Sequence, residues 1–264
     1  MEWSPEAEES IKKVPFFVRK RVRKRVEDEA RQAGKTRIST ADVRLTQKRY
    51  LSKMAEEVKG YALETCFGPG GCPNRAIESD RLLEQLEERL KAADIRNFLE
   101  ERVKGGLKHH HEFRVTLADC PNACSQPQIR DLGIIGACEP TIGEVPCTLC
   151  GECVEVCKED AIFLEGGEET PVVDYDRCLK CGQCITVCPT GTLVAAKSGY
   201  RVLLGGKLGR HPRLAQELPG CYSEDQVLDI LDKCIAFYKA HSKHGERFSE
   251  LYEGPESLGL DTDA

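Results

Sequence analysis

The sequence predicts an α+β protein in three pieces: a small helical piece, a larger mixed piece, and a cysteine-rich insertion within the larger one. Apolar residues recur at helical spacing near the amino end, and short apolar strands and helices follow residue 60. Two identical cysteine runs lie one after the other inside the second piece. The predicted boundaries are 1–60, 61–146 with 191–254, the insertion 147–190, and a tail at 255–264.

Composition excludes several protein classes. With 40% apolar and 31% charged residues, the chain is typical of a globular protein and not of a disordered one. No apolar run is long enough to span a bilayer, and the first five residues have neither a basic nor an apolar signal region. We therefore expect a cytoplasmic protein without membrane contact.

Charge is distributed unevenly. Residues 1–60 hold 16 lysines and arginines against 10 acidic residues, which gives this part a net charge of +6. Since the net charge of the whole chain is −6, the remaining residues have a net charge of −12. The cysteine-rich part is therefore the acidic part.

The first predicted helix begins at Pro15, because proline is favoured at the start of a helix. Valines recur every four residues on one face: Val14, Val18, Val22 and Val26. Between them lies a basic run: Arg19, Lys20, Arg21, Arg23, Lys24 and Arg25. Such a run is found in nucleic-acid stripes and on solvated helix faces. We favour the solvated face, so a nucleic-acid partner is not expected.

A second helix is predicted from the capping box of Ser39 and Asp42. Its residues at helical spacing are Val43, Gln47, Tyr50, Met54 and Val58. The first sixty residues are thus expected to form a small all-α unit.

The larger piece mixes helices with strands. A leucine pattern from Asp80 predicts a helix that ends before Gly105. Three strands are predicted at 113–117, 132–136 and 200–204, the first from alternation and the second as a buried strand. Ser223 and Gln226 form a capping box that opens the last helix, with Val227, Leu231, Ile235 and Tyr238 on its buried face.

The insertion contains the spacing C-x2-C-x2-C-x3-C twice, 31 residues apart. Three closely spaced thiolates reach three corners of one iron–sulfur cube, whereas the fourth ligates the other cube. One predicted set is Cys147, Cys150, Cys153 and Cys188, and the other is Cys178, Cys181, Cys184 and Cys157. Zinc is the alternative, but tandem four-cysteine runs followed by Pro189 do not match its usual spacings. The insertion resembles bacterial-type two-cluster ferredoxins, which implies electron transfer.

A third set combines C-x5-C with a later C-x3-C: Cys66, Cys72, Cys120 and Cys124. Glycines between the first two cysteines suit a backbone that wraps closely around a cluster. Around this set lie Arg114-Val115-Thr116, Asp131-Leu132-Gly133, and Gly205-Gly206-Lys207-Leu208-Gly209-Arg210-His211-Pro212.

This third set resembles the siroheme-dependent nitrite and sulfite reductases over about residues 61–254, and dissimilatory sulfite reductases carry a ferredoxin insertion at the same place. The resemblance implies a sulfite reductase-like half with three [4Fe–4S] clusters and siroheme. It also implies that Cys124 is shared between cube and siroheme iron. In complete reductases a second half also grips the siroheme. A second copy, a partner subunit or the basic helical unit at 1–60 is therefore expected to cover it here.

The resemblance implies candidate residues for siroheme carboxylates and a small oxyanion substrate. The cofactor candidates are Cys124, Arg114, Asn122, Lys207 and Arg210, and the catalytic candidates are Arg114, Lys207, Arg210 and His211. The run Lys108-His109-His110-His111 is a further source of cations. Arg114 is equally well explained as a surface or ion-paired residue. The remaining cysteines, Cys138, Cys221 and Cys234, are expected to be buried structural thiols.

The first segment resembles a helical domain at the end of one subunit of the light-independent protochlorophyllide reductases. The resemblance rests on Trp3-Ser4-Pro5-Glu6-Ala7, Val14-Pro15-Phe16-Phe17-Val18-Arg19 and Ile38-Ser39-Thr40-Ala41-Asp42-Val43. It carries no metal motif and implies an interaction or cofactor-adjacent module.

Three functions remain open from sequence. The first is reduction of sulfite or nitrite on siroheme, with electrons from a donor such as a ferredoxin relayed through the insertion. The second is a siroheme-free electron-transfer subunit of a larger redox complex. The third is reduction of another substrate, such as a tetrapyrrole, which only the N-terminal resemblance suggests.

Overall fold

The computed structural model describes residues 1–260, except for the side chains of residues 51–55. Met54 of the predicted second helix and residues 261–264 of the predicted tail lie outside this description. The chain divides into two compact units. The first comprises Met1–Val58 and Val103–His110, and the second comprises Lys59–Arg102 and the chain from His111 onward.

The first unit contains three helices and two short strands. In chain order they are β1 (Glu2–Trp3), α1 (Pro5–Lys12), α2 (Phe16–Gln32), β2 (Arg37–Ile38) and α3 (Thr40–Glu57). Its core consists of Ala7, Val26, Ala30, Ile38 and Val43, with Trp3 and Val22 packed against it. The sequence predicted an all-α unit, but β1 and β2 pair in parallel, so the unit also contains a short two-stranded sheet.

Helix α1 was not predicted, although its start carries a recognisable pattern. The Ser4 hydroxyl accepts a hydrogen bond from Ala7 N at 3.2 Å, and Pro5 takes the first helical position. Ala7 and Ile11 are buried at a spacing of four residues. The predicted helix beginning after Pro15 is confirmed as α2.

The capping box that opens α3 and the helix itself are confirmed, and α3 buries polar as well as apolar side chains. Gln47 and Tyr50 are exposed, whereas Asp42 and Thr46 are buried. The Thr46 hydroxyl donates to Glu29 Oε2 at 2.8 Å, so its burial leaves no hydrogen bond unmade. The residues at helical spacing identify the helix but do not mark its buried face.

The second unit is built on a mixed five-stranded sheet with the order β3-β4-β5-β8-β9. The first three strands are parallel, and β8 and β9 run antiparallel to their neighbours. The strands are β3 (Tyr61–Thr65), β4 (Phe113–Ala118), β5 (Leu132–Ile142), β8 (Leu193–Leu204) and β9 (Gln216–Glu217). A separate antiparallel pair consists of β6 (Ile162–Phe163) and β7 (Val172–Val173).

The helices of the second unit include the two that the sequence predicted at length. They are α4 (Asp80–Ala92), α5 (Ile95–Glu100), α6 (Glu152–Val156), α7 (Gln183–Val187), α8 (Glu224–His241) and α9 (Phe248–Leu251). The leucine face of α4 and the capping box and apolar face of α8 are confirmed. Both helices bury complete side chains, including Leu86 and Leu231 at 0% exposure.

The strands differ from their predictions in burial and length. In β4 only Arg114 is partly exposed, and even Thr116 is fully buried, because this central strand is covered on both faces. Strands β5 and β8 pair from Leu132 with Leu204 to Ile142 with Leu193 and are roughly twice the predicted length. The insertion at 147–190 therefore connects the far ends of one long hairpin.

The predicted tail after residue 254 begins with a short helical turn. Pro255–Leu258 form a 3-10 turn in which Pro255 and Leu258 are buried. Lys233 Nζ of α8 donates to Gly259 O at 3.4 Å, which anchors the turn. Among the described residues, no helix is both long and apolar enough to cross a membrane.

Candidate iron–sulfur and cofactor site

The third cysteine set lies at the carboxyl ends of two neighbouring strands. Cys66 follows β3 directly, and Cys120 follows β4 by one residue. These strands are parallel and adjacent, so their carboxyl ends meet at one edge of the sheet. Cys66 N donates a hydrogen bond to Leu117 O of β4 at 3.1 Å, which connects the start of the Cys66 loop to the neighbouring strand.

The other three thiols of this set act electrostatically on Cys120. Burial raises the pKa of the Cys120 thiol, and the neighbouring groups of Cys66, Cys124 and Cys72 raise it further because like charges repel. A backbone hydrogen bond from Asn122 opposes this increase. The structure thus brings the four predicted ligands of the third set together.

The loop beginning at Cys66 is shaped by a close contact with Asp119. Gly68 N and Asp119 N donate to Cys66 Sγ at 3.2 and 3.3 Å. A Cβ atom on Gly68 would lie 2.1 Å from Asp119 Oδ2. Asp119 is buried and hydrogen-bonded to the Ser79 hydroxyl, so it has little room to move. Glycine is therefore required at position 68.

Cys124 differs from the other members of the set because it is exposed. Asn122 Nδ2 donates to Cys124 Sγ at 3.0 Å, and Ala123 between them adopts a positive φ of 51°. This local turn presents the thiol outward next to the other three. An outward thiol suits a group that binds on the open side of a cluster.

A hairpin that carries three of the predicted residues follows the Gly205-Gly206 pair. Lys207 and Arg213 exchange backbone hydrogen bonds at 2.9 Å, and Arg210 and His211 lie exposed between them. Ala215, which follows the hairpin, packs against a small apolar cluster of Ala123, Ile135 and Leu203. The end of the hairpin is therefore connected to the cluster that contains Ala123, the residue before Cys124.

The glycines before this hairpin have a packing role. A Cβ on Gly205, whose φ is +76°, would lie 2.3 Å from Tyr252 Cδ1, and one on Gly206 would lie 2.5 Å from Gln128 O. Because neither glycine has a side chain, the backbone at the start of the hairpin can lie in direct contact with Tyr252 and with the backbone of Gln128.

Arg114 lies at the opposite end of β4 from the third cysteine set. It is the second residue of β4, six positions before Cys120, a separation of about 20 Å along an extended strand. The structure therefore separates Arg114 from the cysteine set by about one strand length. The predicted histidine run forms a 3-10 turn over His109–His111.

Arg130 was missed in the sequence analysis. It lies one residue before Asp131, its Nε donates to Thr116 Oγ1 of β4 at 3.2 Å, and it pairs with Glu64 of β3. Its side chain is 15% exposed. Arg130 therefore adds a cation to the sheet face that also carries Arg114. Only the strand register reveals this, because Thr116 and Arg114 are two positions apart on β4.

The two cysteine runs of the insertion fold into the same local structure twice. Leu149 N donates to Cys147 Sγ at 3.3 Å, and Lys180 N donates to Cys178 Sγ at 3.4 Å. The short helices α6 and α7 follow glycines with positive φ in both runs. The sequence repeat is therefore also a structural repeat.

The predicted crossing of ligands agrees with proximity in the insertion. One pocket is lined by Cys147, Cys150, Cys153 and Cys188. Burial raises the pKa of Cys184 to about 12, with contributions from Cys181, Cys178 and Cys157. Each predicted set thus consists of thiols close enough to interact. The assignment of these sets to clusters stays a prediction.

Cys188 is the thiol with a clearly lowered pKa among the described residues. Burial alone would raise this pKa, but N–H groups of Leu193 and Gly191 and the Thr190 hydroxyl lower it to about 7. Hydrogen bonds to sulfur favour the thiolate, which is the form that binds metal.

The residues fit a cube better than a single ion. In the described part of the chain, no three His, Cys, Asp or Glu side chains converge tightly enough to hold one metal ion. Ligands of a four-iron cube bind separate corners and lie farther apart than ligands of one ion. Four cysteines around one pocket, with N–H groups directed at their sulfurs, suit such a cube.

The three remaining cysteines have different surroundings. Cys221 and Cys234 are buried, as predicted for structural thiols, and burial raises the pKa of both. Cys138 is only partly buried. Its Sγ accepts a hydrogen bond from the Ser198 hydroxyl at 3.5 Å.

Part of the basic run on α2 is engaged within the first unit. Arg19 donates to the carbonyl oxygens of Lys12 and Val14 at 2.7 to 3.0 Å. Arg23 forms an ion pair with Glu8 at 2.5 Å and lies over the ring of Trp3. These two arginines therefore connect α2 to other parts of the first unit.

One set of four thiols lies at the carboxyl ends of two parallel strands, and two further sets lie in the insertion. This arrangement is typical of iron–sulfur redox proteins. Residues 61–254 match the nitrite and sulphite reductase 4Fe-4S domain, so the chain belongs to this family. Residues 3–46 match the proto-chlorophyllide reductase 57 kD subunit. Both resemblances predicted from the sequence are confirmed.

Individual relatives agree with these matches. The coenzyme F420-dependent sulfite reductase of Methanocaldococcus jannaschii is 34% identical over 182 residues, which cover 69% of this chain and 27% of that protein. One subunit of the light-independent protochlorophyllide reductase of Chlorobium limicola is 60% identical over 43 residues, 16% of this chain and 8% of that protein. The chain thus spans about a quarter of the first relative.

The fold has a counterpart among solved structures. Dissimilatory sulfite reductase I superposes with a TM-score of 0.51 at 18% identity, covering 81% of this chain and 57% of that chain. At this identity the likeness concerns the fold. It confirms a mixed helix and strand architecture of the sulfite reductase kind.

Proposed function

We propose that this chain is the cluster-bearing part of a siroheme-dependent reductase of sulfite or nitrite. Its three predicted cysteine sets would hold three [4Fe–4S] clusters, two of them in a ferredoxin-like insertion. The observation that carries the proposal is the exposed Cys124 thiol of the third set. The preceding residue, Ala123, belongs to the apolar cluster against which Ala215 packs after the hairpin at Lys207. Family membership and the sulfite reductase relative support it.

The cofactors would supply redox chemistry that side chains lack. The clusters would supply single electrons, and siroheme would supply the iron at which the substrate is reduced. Within the chain, Cys66, Cys72 and Cys120 would hold the third cube, and Cys124 would join it to the siroheme iron. Asn122 would orient the Cys124 thiolate through its amide, which donates to Sγ at 3.0 Å.

The hairpin would bind anions. Lys207 and Arg210 would pair with the carboxylates that siroheme bears. His211 would add an imidazole N–H that can donate a hydrogen bond to an anion. Arg114 and Arg130, on the sheet face of β4, would offer further cations where the cofactor or a covering subunit extends along the strand.

The open side of the site points to a covering partner. Cys124, Asn122, Arg210 and His211 are all exposed in this chain. A closed and water-poor site strengthens the electrostatic stabilisation of a reacting oxyanion. We therefore include a second copy or a partner subunit in the proposal, together with a one-electron donor protein such as a ferredoxin.

The same exposure favours one alternative function. A siroheme-free electron-transfer subunit would need the three cubes but no covered tetrapyrrole site. The absorption spectrum of anaerobically purified protein separates the two functions. A chlorin-like red band is expected for the reductase, whereas a broad cluster spectrum without it would support the alternative.

Replacement of Cys124 by Ser tests the bridge. Serine offers a harder and more basic oxygen in place of a soft thiolate, so both the third cube and its link to siroheme should weaken. Magnetic coupling between cube and siroheme, measured by electron paramagnetic resonance, should disappear. Cys234→Ser is the matched control, because Cys234 is completely buried and has no ligand role. Coupling that survives in Cys124→Ser would refute the bridge.

A further inference from the structure

The two cysteine runs of the insertion have the same local structure but different surroundings. Cys138 N of β5 donates to Lys180 O in the second run at 2.7 Å, and Cys138 forms a parallel β-bridge with Cys181. The second run is thus joined to the central sheet by backbone hydrogen bonding.

Side chains reinforce this contact. Lys180 Nζ pairs with Glu139 Oε2 at 2.6 Å, and each side chain is only about a quarter exposed, at 27% and 28%. The Tyr175 hydroxyl donates to Pro140 O at 3.1 Å. A Cβ on Gly182 would lie 3.0 Å from Cys138 Cβ, so the run and the strand are in close contact.

The equivalent positions of the first run face away from the sheet. Leu149 and Cys150, 31 residues before Lys180 and Cys181, are exposed, Leu149 by 49%. A Cβ on Gly151 would meet no atom within 4 Å. The run begins beyond Ile142, which is about 13 Å farther along β5 than Cys138.

From Cys138 a short path leads to the third set. Gly136 lies two residues earlier on β5, about 7 Å along the strand, and a Cβ there would be 2.6 Å from Asp119 O. Asp119 directly precedes Cys120, and its N–H donates to Cys66 Sγ at 3.3 Å. The second run is therefore linked to the third set through one strand segment.

We propose that the set of Cys157, Cys178, Cys181 and Cys184 is the exit of the insertion, and that Cys138 is a positioning residue that docks it for electron transfer to the third set. The set of Cys147, Cys150, Cys153 and Cys188 is then the entry. The inference rests on the proposed function, because it requires clusters at these sets. Each transfer moves one electron: the exit cluster is oxidised, the third cluster is reduced, and no bond or proton moves. A one-electron donor protein replaces the electron at the entry.

Two glycine variants provide a matched test. Gly182→Ala and Gly151→Ala both place alanine at a positive φ, +71° and +82°, but only the former pushes against Cys138. The fully loaded protein is reduced photochemically, and the magnetic dipolar splitting of the third cluster is recorded by electron paramagnetic resonance. Because dipolar splitting falls steeply with distance, it should decrease in Gly182→Ala and remain in Gly151→Ala. The rate of electron transfer to the third cluster should fall in the same variant only.

Two ligand variants keep the test decisive if Gly182→Ala does not fold. The splitting should persist in Cys150→Ser, which damages the entry cluster, and vanish in Cys181→Ser, which damages the exit cluster. The reverse pattern, or an equal loss in both, would overturn the inference. Iron content and cluster signals are measured first and need no siroheme. Absence of the insertion clusters would overturn this inference and the proposed relay together, whereas the wrong pattern with all clusters present overturns the inference alone.

Discussion

Backbone N–H groups point at the first sulfur of all three cysteine sets. Gly68, Leu149 and Lys180 each donate to the cysteine two residues earlier, at 3.2 to 3.4 Å. Such bonds stabilise negative charge on sulfur and tune the potential of a bound cluster. The backbone at these three positions therefore supplies hydrogen bonds that support thiolates.

Gly68→Ala should abolish binding of the third cluster. The new Cβ would lie 2.1 Å from Asp119 Oδ2, and the buried Asp119 cannot withdraw without losing Ser79. The loop from Cys66 to Cys72 would have to shift, so iron content should fall by about four irons per chain. The insertion clusters should keep their signals.

Gly70→Ala is the control for this prediction. A Cβ at position 70 would meet only Phe67 O at 3.3 Å, and Gly70 does not have a positive φ. Its iron content should remain close to that of the parent protein. Equal iron content in both glycine variants would show that the contact with Asp119 does not shape the loop.

At the level of elements, the start of α3 depends on one carboxylate. A hydrogen bond from Lys35, followed by bonds from the Ser39 backbone and hydroxyl, lowers the pKa of Asp42 to about 2. Since the folded pKa lies below the ordinary value of 3.8, this stabilisation is present above about pH 4 and is lost as pH falls toward 2.

Asp42→Asn should therefore destabilise the first unit by about 1 to 2 kcal/mol at neutral pH. The lower end of that range reflects solvent screening at Lys35, which is about half exposed. Hydrogen exchange at the first amides of α3 measures the difference, which should shrink between pH 4 and pH 2. Asp28→Asn removes an exposed pair with Arg31 and should change little. A difference that is independent of pH would contradict the capping account.

Helices were predicted more accurately than strands. Periodicity and capping residues identify α4 and α8, because a helix is stabilised by neighbours in sequence. Strand β3 was missed, and the full burial of β4 was not foreseen, because burial of a strand depends on which elements cover its two faces.

Some features of the candidate site could likewise be predicted from nearby residues in the sequence, whereas others depend on the fold. Cysteine spacing alone identifies the ligand sets, since the spacing itself limits which thiols reach one cluster. The position of Arg130 and the contact of Cys138 with the second cysteine run follow from strand register and from long β5. Neither is encoded within a short window of sequence.

At the scale of the whole molecule, a basic segment and an acidic, cysteine-rich segment share one chain. The first segment has a charge of +6 and no metal motif, whereas all twelve predicted ligands lie in the part with −12. The match to the nitrite and sulphite reductase domain covers residues 61–254, so the proposed redox chemistry is assigned to the second segment. The first segment is stabilised by its own ion pairs and core.

The Mössbauer spectrum of protein loaded with iron-57 without oxygen tests the central claim most directly. Three cubes and one siroheme iron predict about thirteen irons per chain, with one cube magnetically coupled to the siroheme iron. Separate extraction and quantification of siroheme provides the matching stoichiometry of one per chain. A spectrum with three uncoupled cubes and no siroheme iron, or with fewer than three cubes, would contradict the account.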